Sequence, residues 1–290
     1  MKLIKKTIDR LGYFLSYLSP EIASKYWYYY CFRKPLDLRH PITLNEKLMW
    51  LKLNTYRNNP LVTKCADKYL VREYVEQAGC ETLLNQLLGV YDSVEQIKWN
   101  ELPESFVLKC NHACGYNILC PDKAKLNIDA AKKQLTQWIN KDFWRIFAEV
   151  QYKDIPKKII CEKFLGEGNE LLDYKVYCFH GKAEYILVCT ERESGTPKFF
   201  FMDKEWNLCP ITRDGKQAPA DFLVEKPIML KEMLNYAERL SAPFPFVRVD
   251  FYYVENKIIF GELTFVPSAA LDGGRLPETD LMFGQMLNIF

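Results

Sequence analysis

The 290-residue chain carries 39 Lys and Arg against 37 Asp and Glu, so its overall charge gives no support to nucleic-acid binding. Hydrophobic residues make up 49%, ample for the core of one large or two modest globular domains. The ten cysteines are spread singly and several lie inside apolar runs (Cys161, Cys178, Cys189), which reads as a reduced, cytoplasmic setting; the cluster Cys110, Cys114 and Cys120 lacks the spacing of a zinc site.

Residues 1–18 show an amphipathic helical pattern, with Ile4, Ile8, Leu11 and Leu15 on one face and Lys2, Lys5, Lys6 and Arg10 nearby. Such a helix suits either packing on the protein's own core or peripheral contact with the inner face of an anionic membrane. Asp9 and Arg10 break the apolar run, which argues against a secretory signal, and no later run reaches the length of a membrane span. Residues 1–60 form a helical, aromatic-rich N-terminal region, in which Tyr26 to Tyr30 suit a core or a sugar-binding groove. A helix capped at Thr43 or Asn45 covers Glu46 to Leu53.

Residues 61–104 read as a helix-strand segment: Val71, Tyr74, Val75 and Ala78 repeat at helical spacing, Gly79 stops the helix, and a strand lies within Leu83 to Tyr91. Residues 105–120 read as strand, turn, strand, with Lys109 ending the first strand beside a turn containing Gly115, a device suited to phosphate. His112 in that turn reads as a polar loop residue. Asn127 caps a helix carrying Leu135, Trp138 and Ile139, and strands follow at 157–165, 173–179, 183–192 and 198–203. A helix over 226–240 bears the stripe Leu230, Met233, Leu234, Ala237 and Leu240, with Pro227 near its first turn. The tail after Phe265 reads as loop and then apolar. Helices followed by antiparallel strands point to an α+β fold.

Residues 246–265, FVRVDFYYVENKIIFGELTF, read as a β-hairpin. Alternation puts Val247, Val249 and Phe251 on one face with Arg248 and Asp250 on the other, and separates Leu263 and Phe265 from Glu262 and Thr264. A three-residue loop, Glu255 to Lys257, pairs Val254 with Ile258 and sets Asp250 opposite Glu262 and Arg248 opposite Thr264. Facing carboxylates repel unless a positive charge joins them. A divalent cation with phosphate oxygens supplies such a charge; solvation or pairing with Arg248 are the alternatives.

The segments ADKYLVREYV, FVLKCNHACGYN, IICEKFL, DYKVYCFHGK, VRVDFY and FGELTF, in this order across residues 40 to 285, resemble the ATP-grasp superfamily, and within it the TupA-like group associated with bacterial surface polysaccharide, including teichuronic acid. The resemblance implies an ATP-grasp-like fold of two α+β subdomains with antiparallel sheets clasping a nucleotide, the first over residues 105–160 and the second, with the metal-binding hairpin, over 161–290. By position it makes Lys109 a phosphate contact, Glu162, Lys163 and Leu165 the adenine hinge, and Asp173 the ribose contact. Lys175 becomes a second phosphate contact, Asp250 and Glu262 the Mg²⁺ ligands (Mn²⁺ suits the same oxygens), and Arg248 a group at the transferred phosphate. Two departures stand out: Thr264 where the superfamily often has Asn, and Ala113-Cys114-Gly115-Tyr116 where similar sequences have a glycine-rich turn.

The activity implied is an ATP- and Mg²⁺-dependent ligase that activates a carboxylate as an acylphosphate for capture by an amine or similar nucleophile on a small-molecule or glycan acceptor. A glycosyltransferase of the same pathway using a sugar nucleotide, and a nucleotide-binding subunit without turnover, are the competing readings.

Overall fold

The computed structural model describes residues 2–166, 173–190 and 197–290. Residues 191 and 192, expected to end a strand, lie outside them.

The chain opens with helices α1 (Lys2–Leu18) and α2 (Pro20–Phe32), which pack on each other. Ser19 caps α2, its Oγ accepting the Ile22 N–H at 3.3 Å, and Pro20 supplies the preset first turn. Trp27 and Tyr28 are buried, so that part of the aromatic run is core, while Tyr29 is exposed. Helix α3 (Leu44–Leu53) starts at Thr43 with a reciprocal capping box to Glu46. Helices α4 (Pro60–Ala66) and α5 (Val71–Gln77) follow, and Gly79 takes the positive φ expected of a helix stop.

The described strands form two antiparallel sheets. The first runs β1 (Leu87–Tyr91), β4 (Ile159–Lys163), β2 (Phe106–Cys110), β3 (Asn117–Cys120) across its width. It thus draws β1 from the 61–104 segment and β4 from across the 160/161 division. Phe106, Leu108, Ile159 and Cys161 pack under helix α6 (Ile128–Ile139) through Ala131 and Leu135.

The second sheet contains β5 (Asp173–Phe179), β6 (Lys182–Thr190), β7 (Lys198–Met202), β8 (Leu208–Cys209), β9 (Phe246–Val254) and β10 (Lys257–Thr264), in the order β10-β9-β5-β6-β7-β8. A short helix, α7 (Arg213–Gln217), follows β8. Helix α8 (Leu230–Ser241) lies on β5, β6 and β9 with Leu230, Met233, Ala237 and Leu240 buried. The tail is more ordered than its sequence suggests: Pro277–Met286 form helix α9, which packs on α3 and buries Phe283 among the aromatic rings of the sheet.

The hairpin of β9 and β10 corrects the expected turn. Glu255 and Asn256 both have positive φ (50° and 59°) and form a two-residue loop, so Val254 pairs with Lys257 and not with Ile258. A bulge between Phe260 and Glu262 then inserts Gly261 and shifts the register back by one. The two differences cancel, and Asp250 faces Glu262 as Arg248 faces Thr264. The bulge also lets Ile258 and Phe260 share the core side with Leu263, which strict alternation forbids. Gly261 permits it because a Cβ there would meet the Asp250 backbone oxygen at 2.9 Å.

Gly261→Ala is therefore expected to lower stability by about 1–3 kcal/mol, from the forced backbone shift. Urea titration should show an earlier midpoint with an unchanged slope.

Candidate functional site

Strand alternation brings Asp173 and Lys175 to one face of β5, and the register sets Lys175 beside Asp250 of β9. Glu262 and Thr264 come from β10 and Arg248 from β9. The Arg248 guanidinium grips Asp250 with two hydrogen bonds, Nε to Oδ1 at 2.7 Å and Nη2 to Oδ2 at 2.6 Å, and donates to Thr264 Oγ1 at 3.2 Å. Thr264 Oγ1 in turn donates a hydrogen bond to Glu262 Oε1 at 3.0 Å. Lys175 pairs with Asp173 and, at 3.3 Å, with Asp250.

A further cation arrives from outside the sheet. Lys68, in the turn between α4 and α5, reaches Glu262 Oε2 at 3.1 Å. Asn111, in the β2–β3 turn, staples that segment in place: its carbonyl accepts the Lys68 N–H at 3.2 Å and its side-chain amide donates to Asp67 at 2.9 Å. Lys68 holds the Glu262 carboxyl down at about 2, against the cost of burial. Burial pushes the Asp250 carboxyl up, against the pull of Arg248 and Lys175. Lys68 also feels the charge of Glu162, so it stands between the acids of the two sheets.

On the first sheet, Lys109 of β2 donates to Glu162 Oε2 at 2.6 Å, and Arg72 of α5 lies 3.5 Å from Glu162 Oε1. Lys163 ends β4 with an exposed side chain, its N–H donating to Gln86 O, and the half-buried Leu165 follows just outside the strand. Glu162, Lys163 and Leu165 thus sit where the chain leaves the first sheet for the second. The β2–β3 turn holds Gly115 at φ +73° with nothing within 4 Å of a Cβ position, so backbone there is open to close approach.

Among the described residues no group of three or more His, Cys, Asp or Glu is gathered for a metal ion. Asp250 and Glu262 on one hairpin rung, with the Thr264 hydroxyl beside them, are hard oxygen donors of the kind Mg²⁺ takes, and here their oxygens are engaged by Arg248, Lys175, Lys68 and one another.

A model of the TupA-like ATP-grasp family matches residues 46–288. The chain belongs to that family. A search of curated proteins gave no match. Among solved structures, this TupA-like chain is similar to the D-alanine–D-alanine ligase of Bacillus anthracis complexed with ATP (13% identity, TM-score 0.44, 76% of this chain and 66% of that one). It is similar also to an L-amino acid ligase of Bacillus licheniformis (12%, 0.44, 81% and 49%) and to the ATP-grasp ligase PsnB with Mg and ADP (11%, 0.44, 83% and 65%). The chain spans about half to two thirds of the length of these structures.

Several residues at this candidate site escaped the sequence reading. Lys68 and Arg72 lie in a segment recognised as family-like, Lys68 in the turn before α5 and Arg72 in its first turn, beside the buried Val71. Glu149 and Lys52 are both buried near the site, Lys52 Nζ donating to Phe147 O at 3.1 Å; burial raises Glu149 to about 7 and lowers Lys52 to about 8. Tyr152, half-buried here, feels both Glu149 and Glu262.

His112 is buried, not a solvated loop residue, with Nε2 3.2 Å from Lys141 O. Burial lowers its pKa from 6.5 to about 4. The folded state therefore binds this proton less readily than the unfolded chain, so the associated stability is present above pH 6.5 and drains away as pH falls toward 4. Urea unfolding at pH 7 and pH 5 should show wild type losing about 2 kcal/mol more than His112→Gln over that interval.

Proposed function

We propose that this chain is an ATP-dependent ligase that activates a carboxylate for capture by an amine or similar nucleophile. What supports this reading most is the hairpin rung on which Asp250 and Glu262 face each other, ringed by Arg248, Lys175 and Lys68. Phosphoryl transfer needs positioning and charge neutralisation more than covalent help, and this cluster offers both.

In the proposed reaction a substrate carboxylate oxygen attacks the γ-phosphorus of ATP. The bond from that phosphorus to the β–γ bridging oxygen breaks, giving an acylphosphate and ADP. The nucleophile then attacks the acyl carbon, the C–O bond to phosphate breaks, and inorganic phosphate leaves while the amine gives up a proton. In this reading Lys109 and Lys175 hold phosphates, and Arg248 meets the charge on the transferring group. Glu162, Lys163 and Leu165 take the adenine edge and Asp173 the ribose. Mg²⁺ held by Asp250, Glu262 and Thr264 would neutralise charge on the phosphates.

We take the setting to be cytoplasmic assembly of bacterial surface polysaccharide (capsule, O-antigen or teichuronic acid), with the nucleophile on a small molecule or glycan. Among the described residues no helix is long and apolar enough to cross a membrane. Helix α1 nonetheless leaves Leu11, Phe14 and Leu18 exposed along one side, with Lys6 and Arg10 exposed near them. This combination suits the surface of an anionic bilayer.

Two measurements test the reading. Calorimetric titration of Mg·ATP should show binding to wild type and a loss of at least about tenfold in Asp250→Asn, Glu262→Gln, with turnover down by about a hundredfold or more. The isosteric pair avoids leaving a cavity around Arg248. A UDP-sugar bound in place of ATP would favour the glycosyltransferase, and tight ATP binding without turnover on any carboxylate and amine would favour a silent subunit. For the membrane face, wild type should sediment with phosphatidylglycerol vesicles in a salt-sensitive way, and Leu11→Ser, Phe14→Ser, Leu18→Ser should stay in solution.

A further inference from the structure

A cavity of about 390 Å³ opens beside the paired carboxylates. Tyr177 follows Asp173 and Lys175 on the same face of β5, and the register sets it opposite Arg248. Lys175 and Arg248 therefore stand at one end of the cavity, and its floor runs away from them over Tyr177, Leu187, Phe199 and Phe201. Phe199 is 37% exposed, while Phe201 and Tyr177 are buried beneath the surface.

The walls favour a particular ligand. Ile211 and Thr212 form one side; the other is the 268–275 segment, where Ser268, Ala269 and Ala270 all take left-handed φ of 52° to 58°. Three such non-glycine residues in succession store strain, and strain of this kind gathers at binding sites. The acids that line the cavity are already engaged. Asp214 accepts the Phe199 N–H at 2.8 Å, and Asp272 accepts the N–H groups of Gly274 and Arg275, each at 3.1 Å. Arg275 is tied to Asp272 and Asp280 at 3.1 and 2.9 Å. A cationic end and an apolar floor fit a carboxylate carried on an apolar body. A polyhydroxylated acid would find polar contacts at Thr212, Arg213 and Ser268 on the walls but would set its other hydroxyl groups against the phenyl rings of the floor, without partners.

We propose that this cavity receives the carboxylate to be activated, and that this substrate carries an aryl or branched aliphatic body. Its carboxylate lies at Lys175 and Arg248, beside the place where ATP's terminal phosphate arrives, and its body lies over Phe199 and Phe201. The proposal rests on the ligase reading and names the substrate class within it.

The test is binding without turnover. With Mg²⁺ and the non-hydrolysable analogue AMP-PNP present, 3-phenylpropionate and D-glucuronate are each titrated calorimetrically into the full chain. The expected result is 3-phenylpropionate bound at least tenfold more tightly than glucuronate. Phe199→Ala should weaken 3-phenylpropionate about tenfold, Phe199→Leu should restore most of it, and AMP-PNP affinity should be unchanged in both. Glucuronate binding as tight, neither acid binding, or no effect of Phe199→Ala would overturn the substrate class while leaving nucleotide binding intact. Failure of AMP-PNP itself to bind wild type would remove the ligase reading and the proposal together.

Discussion

Two carboxylates opposed on one rung of a hairpin, Asp250 and Glu262, set the constraint that the surrounding structure answers. Like charges facing across an antiparallel pair are destabilising, and Asp250 is buried as well. The answer comes from three directions: Arg248 two residues away on the same strand, Lys175 on the neighbouring strand, and Lys68 from the helical segment. A buried pair that loses one partner costs far more than the pair gains, so each cation fixes the element that carries it. Lys68 is the most consequential, because it ties the α4–α5 turn to the second sheet while Asn111 ties the same turn to the first.

The apolar core explains why those cations are so well placed. Helix α8 buries one face of β5, β6 and β9, so the opposite face of β5 and β9 is where Lys175, Arg248 and Asp250 emerge. On that same face helix α9 packs Phe283 against Tyr177, Phe179 and Phe201. Beneath the site, Lys52 and Glu149 are buried with their pKa values drawn toward each other, at about 8 and about 7. Desolvation disfavours both charged forms, and each charge eases the shift of the other.

Much of this was legible in the sequence, and the exceptions have physical causes. Period-two alternation in β9 separated core from site residues without help from the fold. The hairpin register was reached through a three-residue loop that does not exist; a two-residue turn and a bulge gave the same rung. The signal for the bulge was present, since apolar positions fall on Ile258 and Phe260 before Gly261 and on Leu263 and Phe265 after it. Lys68 and Arg72 were missed for another reason: a helical pattern identifies the buried stripe but does not say what the polar side meets. The C-terminal helix was hidden because its apolar residues pack on tertiary neighbours, and the Gly-Gly before it and the Pro at its first position read as loop.

Thr264 is the departure from family pattern that the geometry explains best. A hydroxyl both donates and accepts, and here it accepts from Arg248 at 3.2 Å and donates to Glu262 at 3.0 Å. It thereby links the guanidinium that holds Asp250 to the opposite carboxylate, keeping both acids aligned on their rung. A carboxamide offers a stronger oxygen donor to a cation, but it is bulkier and would have to fit between the same two partners. Thr264 thus supplies a short, two-way bridge that orders the site through protein groups alone.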